Sequence, residues 1–463
     1  MRSKSPKSSA RATAARPKKK TTARAKPAAA ARARGRATAK PAAAKPARGA
    51  SAKKAATATT KTKQKQAAAP KKQAAAPKKQ AAAPKARTAR APRVPAQPTK
   101  AARPAAPAHR APAPAPRAAL DPRLAELIRR LLKVELHLHI EGTLEPELAF
   151  ALAARHGVAL PYGSVEELRA AYAFDDLQSF LDLYYATCAV LRDRSDFYTL
   201  AMAYFARAHA DNIVHAELFF DPQTHTSRGV PIGEVIGGLR DAMSDAERRY
   251  GITSELILCF LRHLSEDAAL ATLESAIPYR SELAGVGLDS GERGNPPEKF
   301  VHVFARAKSL GFRLVAHAGE EGPAAYIRDA LDLLQVERID HGVRCEEDPA
   351  LVERLIRDRT PLTVCPLSNV KLRVFDKLAD HNLARLLERG VNITIHSDDP
   401  AYFGGYLGEN FRACAAELGL GARQLTELCE NAIRAAFIPA TEKASHLARL
   451  RRAVAQWTMR AIL

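Results

Sequence analysis

Two histidines at a two-residue spacing begin a series of clusters that could bind a metal ion. His137 and His139 lie in VELHLHIEG, where the flanking apolar residues predict a β-strand. Because side chains alternate along a strand, both rings should point to the same face. Neutral imidazole is a preferred ligand of zinc and similar divalent ions. The pair by itself is typical both of a metal site and of two half-buried histidines without a ligand role.

A third histidine and a nearby glutamate follow in the segment VAHAGEEG. His317 could complete a set of metal ligands, and Glu320 lies three residues further on, beyond a glycine. A carboxyl group that is desolvated beside a cation suits proton transfer near neutral pH. The alternative interpretation is a histidine at the end of a strand and a glutamate in the first turn of a helix, where acids are favoured.

Histidine and aspartate also occupy the ends of two later apolar runs. His341 lies in RIDHGV, and Asp398 and Asp399 are adjacent in ITIHSDDP. Two neighbouring carboxylates repel each other unless a cation or a proton separates them. A solvated turn before Pro400 would also accommodate aspartate. We favour the functional interpretation, in which one carboxylate binds a metal and the other orients a water molecule.

The candidates are more specific as a set than singly. The predicted metal ligands share nitrogen or oxygen donors and include no thiolate: His137, His139, His317 and Asp398. Such a site leaves a coordination position for water, whose pKa a metal can lower from about 15.7 to about 7. Three residues then remain as acid, base or orienting groups: Glu320, His341 and Asp399. The chemistry expected is attack by hydroxide at neutral pH.

These residues need a framework that brings strand ends together. Eight short β-branched runs are each followed by a longer stretch with helical spacing of apolar residues, which predicts a parallel sheet. The predicted strands are 133–140, 214–222, 254–262, 283–290, 312–320, 337–342, 361–368 and 392–400. Nearly every one ends in His, Asp or Glu, and in a closed barrel these carboxyl ends converge on one mouth.

The predicted fold is therefore an α/β protein of the (β/α)8, or TIM-barrel, class. The interval 144–209 is long for one crossover, so we expect extra helices after the first strand. An open, doubly wound sheet is the alternative architecture. We place the barrel domain at residues 121–463, which is enough chain for one large α/β domain.

A strongly basic arm precedes the predicted domain. Residues 1–120 contain 33 Lys and Arg, no Asp or Glu and no aromatic residue, whereas residues 121–463 carry 39 basic and 49 acidic side chains. Without large apolar groups to bury, the arm is predicted to be disordered. Its charge predicts binding of DNA, RNA or another polyanion through counterion release. A solubilising tail and an unused upstream start codon are the alternatives.

The remaining composition bears on redox state and location. The six cysteines are scattered and form no Cys-x-x-Cys pair, which predicts reduced thiols and neither a disulfide framework nor a thiolate metal site. The chain has no run of about 18 apolar residues and no apolar signal-peptide core at its N-terminus. We therefore expect a cytoplasmic protein without a membrane partner, and the sequence leaves its oligomeric state open.

The order of the motifs resembles that of the adenosine/adenine deaminase family of metal-dependent amidohydrolases. The matching motifs are LHLHIEG, VGLDS, VAHAGE, ERIDHG, TVCPLSNVKL and ITIHSDDP. The resemblance runs from about Lys133 to the C-terminus and covers none of the arm. It implies one Zn²⁺ per chain, bound by His137, His139, His317 and Asp398.

The resemblance also implies a role for each remaining candidate. Glu320 would protonate purine N1, and His341 and Asp399 would position the water that attacks C6. Asp399 would further contact purine N7, and the backbone amide of Gly287 would approach the purine. Ammonia would then leave from a tetrahedral intermediate.

Within the family, the segments around the motifs are more similar to the adenine deaminase branch than to the nucleoside branch. Nucleoside-specific members usually have Asp where this chain has Glu141, whose longer side chain would occupy part of the sugar space. Asn295, in SGERGNPPEKF, departs from the family pattern. We expect deamination of free adenine to hypoxanthine and ammonia, in purine salvage. The alternatives are an adenosine deaminase and a catalytically silent barrel with a polyanion-binding arm.

Overall fold

Eight parallel β-strands form the centre of the structure, a computed structural model that describes residues 120–460. Each strand pairs with the next one along the chain, so the sheet order runs from β1 to β8. The strands are β1 Lys133–His139, β2 Ile213–Phe220, β3 Thr253–Leu261, β4 Gly285–Asp289, β5 Arg313–Ala318, β6 Arg338–His341, β7 Leu362–Val364 and β8 Ile393–Ile395. All eight predicted strands are present, and the (β/α)8 architecture is confirmed.

Helices connect the strands, as a parallel sheet requires. The α-helices of the described residues are α1 Pro122–Arg130, α2 Pro146–His156, α3 Val165–Ala170, α4 Leu177–Thr187, α5 Arg194–Ala210, α6 Pro222–Thr226, α7 Ile232–Tyr250, α8 Glu266–Ala276, α9 Val301–Ser309, α10 Ala324–Asp329, α11 Pro349–Asp358, α12 Pro366–Lys371, α13 Leu383–Glu388, α14 Pro400–Phe403, α15 Leu407–Glu417, α16 Ala422–Ala435 and α17 Ala440–Arg460. The interval after β1 holds α2 to α5, which confirms the predicted extra helices.

The last two strands are shorter than predicted. β7 ends at Val364 and β8 at Ile395, whereas the predicted runs extend to residues 368 and 400. Pro366 begins α12 and Pro400 begins α14. Proline is favoured in the first turn of a helix but has no N–H to donate to a strand ladder. The chain therefore leaves the sheet early at both places, and the polar residues after β8 lie in a turn at the mouth.

Side chains pack on both faces of the barrel wall. In β1, Leu136 and Leu138 belong to the main apolar core, whereas the alternate residues His137 and His139 face the interior. The Phe219 ring lies 5.2 Å from each of these two imidazole rings, measured between centroids. It belongs to a small separate cluster formed by Phe219, Ile257, Cys259 and Val315. The interior next to the histidines is thus a packed core on which the polar mouth rests.

The barrel closes between β8 and β1 beyond the regular end of β8. The N–H of Asp398 donates to the carbonyl of His137 at 3.1 Å, and the N–H of His139 donates to the carbonyl of Asp398 at 3.0 Å. Nearby, the N–H of Leu136 donates to Nδ1 of His396 at 3.0 Å, so a side chain replaces a backbone acceptor. The seam is therefore held at three residues that were predicted to be metal ligands.

Three further predictions concern the arm, the cysteines and membranes. The predicted arm, residues 1–120, lies outside the described residues except for Leu120, so its disorder stays a prediction. All six cysteines are buried and form no disulfide, in agreement with the expected reduced thiols. Within the described range, no helix combines the length and the apolar character needed to cross a membrane.

Truncating a core leucine on a central strand is expected to destabilise the barrel. Leu258 in β3 is fully buried, so Leu258→Ala should lower the free energy of unfolding by about 2–5 kcal/mol. The matched control Leu333→Ala removes the same atoms from a side chain that is 42% exposed, and it should change that free energy by about 0.5 kcal/mol or less. Urea unfolding followed by circular dichroism measures both, and equal losses would contradict the expected packing.

Candidate metal centre and active site

Three histidines and one aspartate converge at the mouth of the barrel. One ligand atom from each of His137, His139, His317 and Asp398 lies within 4.8 Å of the others. Oδ1 of Asp398 is 3.3 Å from Nε2 of His137 and 3.5 Å from Nε2 of His139. The Nε2 atoms of His139 and His317 are 3.2 Å apart. The structure therefore brings together the four residues predicted as metal ligands, from β1, β5 and the turn after β8.

Groups behind each imidazole orient its Nε2 atom towards this centre. Nδ1 of His137 donates to the carbonyl of Thr363 at 3.1 Å, which leaves a lone pair on Nε2. The other two Nδ1 atoms face buried carboxylates: His139 faces Asp289 at 3.5 Å, and His317 faces Asp340 at 3.7 Å. Such outer partners select the tautomer and the orientation of a metal-binding imidazole.

The electrostatics of the cluster fit a divalent cation. Burial, then the neighbouring His137, lowers the pKa of His317 well below its usual value, so its ring is neutral. Burial alone would raise the pKa of Asp398, but the surrounding histidines, His137 first, hold it well below its usual range. Nε2 of His137 is buried without a hydrogen-bond partner. Imidazole nitrogens with one carboxylate are a donor set that Zn²⁺ and related ions accept.

Backbone conformation at the strand ends aims these side chains into the mouth. Asp398 has φ of 65° and His341 has φ of 63°, in the left-handed region that non-glycine residues rarely adopt. His341 is the last residue of β6, Asp398 lies three residues after β8, and Ser290, directly after β4, has φ of 72°. Strained backbone of this kind persists where the surrounding structure holds it, often at functional sites.

Glu320 and His341 lie beside the metal-ligand cluster. Oε2 of Glu320 is 3.6 Å from Nε2 of His341, and both side chains are buried. Burial first, then the negative charges of Asp398 and Glu292, raises the pKa of Glu320 well above its usual value. Glu320 therefore holds a proton at neutral pH, and its Oε1 atom is buried without a hydrogen-bond partner. The group can act as a proton donor to a molecule in the mouth.

The loop that carries Glu320 is fixed by a second glutamate. Glu292, in the turn after β4, is 1% exposed. Its two carboxylate oxygens accept four consecutive backbone N–H groups, those of residues 319–322, at 2.7 to 3.0 Å. Hydrogen bonds to a charged acceptor are stronger than those between neutral groups. The position of the Glu320 backbone is thus set by residues from a different strand end.

A chain of hydrogen bonds determines which nitrogen of His341 carries a proton. The N–H of Leu383 donates to Nδ1 of His381 at 3.0 Å, so His381 must carry its proton on Nε2. That Nε2 lies 3.2 Å from Oδ1 of Asn369, whose Nδ2 lies 3.3 Å from Nδ1 of His341. Since Nδ1 of His341 accepts, its Nε2 carries hydrogen and faces the mouth. Burial lowers the pKa of His341 to about 3, so the ring is a neutral donor.

Asp399 lies beside the metal ligand Asp398 and depends on a glycine. A Cβ atom at Gly142 would lie 2.0 Å from Oδ1 of Asp399, so only glycine fits there. Burial, then the charge of Asp398, raises the pKa of Asp399 well above its usual value. Its Oδ1 atom is buried and has no hydrogen-bond partner. The carboxyl group is thus available to a ligand in the mouth.

The mouth is a cavity with a polar floor and an apolar wall. The predicted residues His139, His317, Glu320, His341, Asp398 and Asp399 line the floor. The wall comes mainly from α4, one of the extra helices after β1, through Leu177, Phe180, Leu181, Tyr184 and Tyr185. Aromatic and aliphatic side chains of this kind suit a flat, apolar ring system.

Two residues that the sequence analysis linked to the substrate do not line this cavity. A Cβ atom at Gly287 would lie 2.5 Å from Sγ of Cys259, because Gly287 faces the packed interior of the barrel. At the end of β4, Asp289 and Ser290 line the cavity instead. Glu141 is fully buried and accepts from Nε2 of His225 at 2.8 Å. Its longer side chain therefore fills no part of the cavity.

Asn295, the departure from the family pattern, belongs to the loop after β4. Its backbone carbonyl accepts from Nε of Arg262 at 2.8 Å, and its Oδ1 accepts from Lys299 at 3.1 Å. Arg262 also donates to the carbonyl of His317 at 2.7 Å. Asn295 thus helps to hold Arg262, which in turn binds the backbone of the candidate metal ligand His317. Asn295 itself does not line the cavity.

Asp221, Glu292 and Asn369 are among the residues of the site that the sequence analysis missed. Asp221 lines the cavity and precedes Pro222 at the end of β2, as Asp399 precedes Pro400 after β8. That shared Asp-Pro pattern could have identified it. Glu292 and Asn369 act through contacts with residues 27 to 30 and 28 positions away in sequence, and no local pattern indicates such contacts.

Comparison with known proteins matches the barrel domain. A protein-family model described as "Adenosine deaminase" matches residues 132–453. An adenine deaminase of Cupriavidus necator is 64% identical over 329 residues, which are 71% of this chain and 94% of that protein. The solved structure of an adenine deaminase from Arthrobacter aurescens is 51% identical with a TM-score of 0.69, and the match covers 70% of this chain and 99% of that one.

A second solved structure carries a metal. It is an amidohydrolase from Burkholderia ambifaria, described with bound Zn, and it is 27% identical with a TM-score of 0.68 over 74% of this chain and 95% of that one. The family match begins one residue before β1, includes the whole barrel and leaves out the basic arm. On this evidence, the chain belongs to the adenosine deaminase family.

Proposed function

We propose that this chain hydrolyses free adenine to hypoxanthine and ammonia at the mouth of its barrel. The observation that carries the proposal is the convergence of a metal-ligand cluster and a buried, protonated Glu320 on one cavity. Relatives that match this chain over nearly their full length are named adenine deaminases, which favours adenine over adenosine. The complete set of reactive groups argues against a catalytically silent barrel.

We propose zinc as the metal, with one ion per chain held by His137, His139, His317 and Asp398. A divalent metal is supported by the family and by the donor set, and the bound Zn of the Burkholderia ambifaria structure supports zinc in particular. When bound, zinc supplies hydroxide at neutral pH, since it can lower the pKa of water from about 15.7 to about 7. The apolar wall from α4 would exclude other water from the cavity.

Proton transfer begins at the ring nitrogen beside the reacting carbon. In the proposed mechanism Glu320 protonates purine N1, which withdraws electrons from C6 and prepares it for attack. The raised pKa of Glu320, caused by burial and by Asp398 and Glu292, keeps the proton available at neutral pH. Glu292 holds the backbone of the loop, so the carboxyl group stays in place as it loses its proton.

His341 and Asp399 share the task of positioning the attacking water. Nε2–H of His341 faces the mouth, so His341 orients the attacking oxygen by donating a hydrogen bond and does not accept its proton. Asp399, whose carboxyl group keeps its proton because burial and Asp398 raise its pKa, positions the water together with His341 and contacts purine N7. The proton that the water loses passes to the amino group on C6, which leaves as ammonia, and the hydroxyl proton on C6 returns to Glu320 as the ring carbonyl of hypoxanthine forms.

The roles assigned to other parts of the chain stay predictions. Binding of a polyanion by residues 1–120 is supported by 33 basic and no acidic side chains in that segment. A cytoplasmic location and a place in purine salvage are consistent with a small-molecule purine substrate and rest on the sequence analysis.

The purified chain is expected to turn over adenine faster than adenosine. Loss of absorbance in the purine band at equal substrate concentrations measures both reactions, and release of ammonia gives an independent readout. Elemental analysis of the same sample reports the bound metal. Faster turnover of adenosine would contradict the proposed substrate, and a metal-loaded protein that is inactive on both would contradict the proposed reaction.

Replacing the proposed general acid should remove most activity and leave the metal in place. Glu320→Gln keeps the shape of the side chain but cannot donate a proton as a carboxyl group does, so kcat should fall by about 10²–10⁴-fold. The control Glu321→Gln changes the next residue, which faces Arg293 at the edge of the site, and should remain near wild type. Near-normal kcat for Glu320→Gln would assign the proton to another group.

Glu292→Gln should lower kcat by disturbing the position of Glu320. The amide has one acceptor oxygen where the carboxylate has two, and small displacements of a reacting group can cost about 10²-fold in rate. KM and metal content should change little. Combining it with Glu320→Gln should cost little beyond Glu320→Gln alone, because both changes act on one proton transfer. Additive losses, or loss of bound metal, would indicate a structural role only.

A further inference from the structure

One cavity residue has no part in the mechanism above. Asp221 directly follows β2 and is 3% exposed. It lines the cavity together with Asp289. Its Oδ1 atom is buried without a hydrogen-bond partner. A buried carboxylate oxygen that stays unpaired is costly, so such a group usually meets a donor from a ligand. The contacts of its neighbours show why Asp221 differs from them.

The neighbouring acids face other side chains, although both carboxylate oxygens of Asp289 are also buried without a hydrogen-bond partner. Asp289 faces Nδ1 of the metal-ligand candidate His139 at 3.5 Å, so its position serves the metal centre. Glu141 accepts from His225 and does not line the cavity. Asp221 therefore remains as the cavity-lining carboxyl group on this side whose free oxygen has no assigned role among the described residues.

The order of the strand ends matches the order of the atoms around a purine. Around the mouth, Glu320 follows β5, Asp399 follows β8 and Asp221 follows β2. Around adenine, starting from N1, the edge passes C6, then N7, then C8 and N9. With N1 at Glu320 and N7 at Asp399, the next nitrogen in the same direction is N9, and the next carboxyl group in the wall is Asp221.

We propose that Asp221 accepts a hydrogen bond from N9–H of adenine and thereby selects the free base. The inference rests on the proposed adenine deamination, and it identifies the structural basis of the preference. In a nucleoside, N9 carries the sugar and has no hydrogen, so the carboxyl group would lose its donor and meet a bulky substituent. A site built around one N–H rejects analogues that lack it far more strongly than an apolar pocket does.

The protonation state of Asp221 does not change this argument. Burial, then the charge of Asp289, raises the pKa of Asp221 well above its usual value. A carboxyl group keeps an oxygen lone pair whether it is ionised or protonated, so it can accept from N9–H in either state. A hydrogen bond from the substrate also offsets part of the electrostatic repulsion between Asp221 and Asp289.

The test compares adenine with 9-methyladenine in the wild type and in variants of the full chain. The wild type should prefer adenine by about 10²-fold or more in kcat/KM, because 9-methyladenine has no N9–H. Asp221→Leu keeps bulk but has no acceptor, so its kcat/KM for adenine should fall by a similar factor while that for 9-methyladenine changes little. Asp221→Asn keeps one acceptor oxygen and should retain part of the preference for adenine.

A matched control and a measurement without variants keep the outcomes distinct. Asp182→Leu changes an exposed aspartate on the outer rim of α4 and should leave the preference unchanged. Calorimetry on the wild type should show that hypoxanthine binds more tightly than 9-methylhypoxanthine, and this result does not depend on whether a variant folds.

Three results would overturn the assignment of Asp221. One is an unchanged adenine preference in Asp221→Leu, which would mean that the methyl group is excluded by its size alone. Another is equal binding of the two hypoxanthines by the wild type. The third is a second equivalent of bound metal that is lost from the variants, since His139, Asp221 and Asp289 could together hold a cation. A wild type inactive on adenine would instead contradict the proposed function.

Discussion

The mouth of this barrel depends on holding one carboxylate and three imidazole nitrogens together in a space that water does not reach freely. Oδ1 of Asp398 lies 3.3 Å from Nε2 of His137 and 3.5 Å from Nε2 of His139. Nε2 of His317 lies 3.2 Å from Nε2 of His139. Each unpaired buried polar group costs about 1–3 kcal/mol, so such a cluster is unfavourable without a cation. The outer partners of the histidines and the strained turn at Asp398 hold the donors in place against that cost.

The same burial reverses the usual distribution of protons at neutral pH. Burial raises the pKa values of Glu320 and Asp399, so these acids tend to keep protons. Burial lowers the pKa values of His317 and His341, so these rings stay neutral. Environments that push the pKa values of neighbouring groups in opposite directions supply an acid and a metal ligand in one site. The reaction therefore needs no unusual residue types, only their enclosure.

The sequence was sufficient to predict the barrel and most of the site, for a physical reason. β-branched runs that alternate with helical spacing specify the strands, and polar residues at their carboxyl ends must meet at the mouth. At Gly287 a Cβ atom would point towards Cys259 in the interior, and the approach of the Gly287 backbone amide to the purine stays a prediction. The hydrogen bonds of Glu292 to a distant loop depend on tertiary structure, and no periodicity reports them.

Asp398 contributes both its backbone and its side chain to the mouth of the barrel. Its backbone closes the seam between the first and the last strand, and its side chain belongs to the candidate metal cluster. An ion bound by His137, His139 and Asp398 would link β1 to the turn after β8. Copies of the protein that lose the ion would open at this point first, so unloaded molecules would be the ones most readily recognised and removed by cellular proteases.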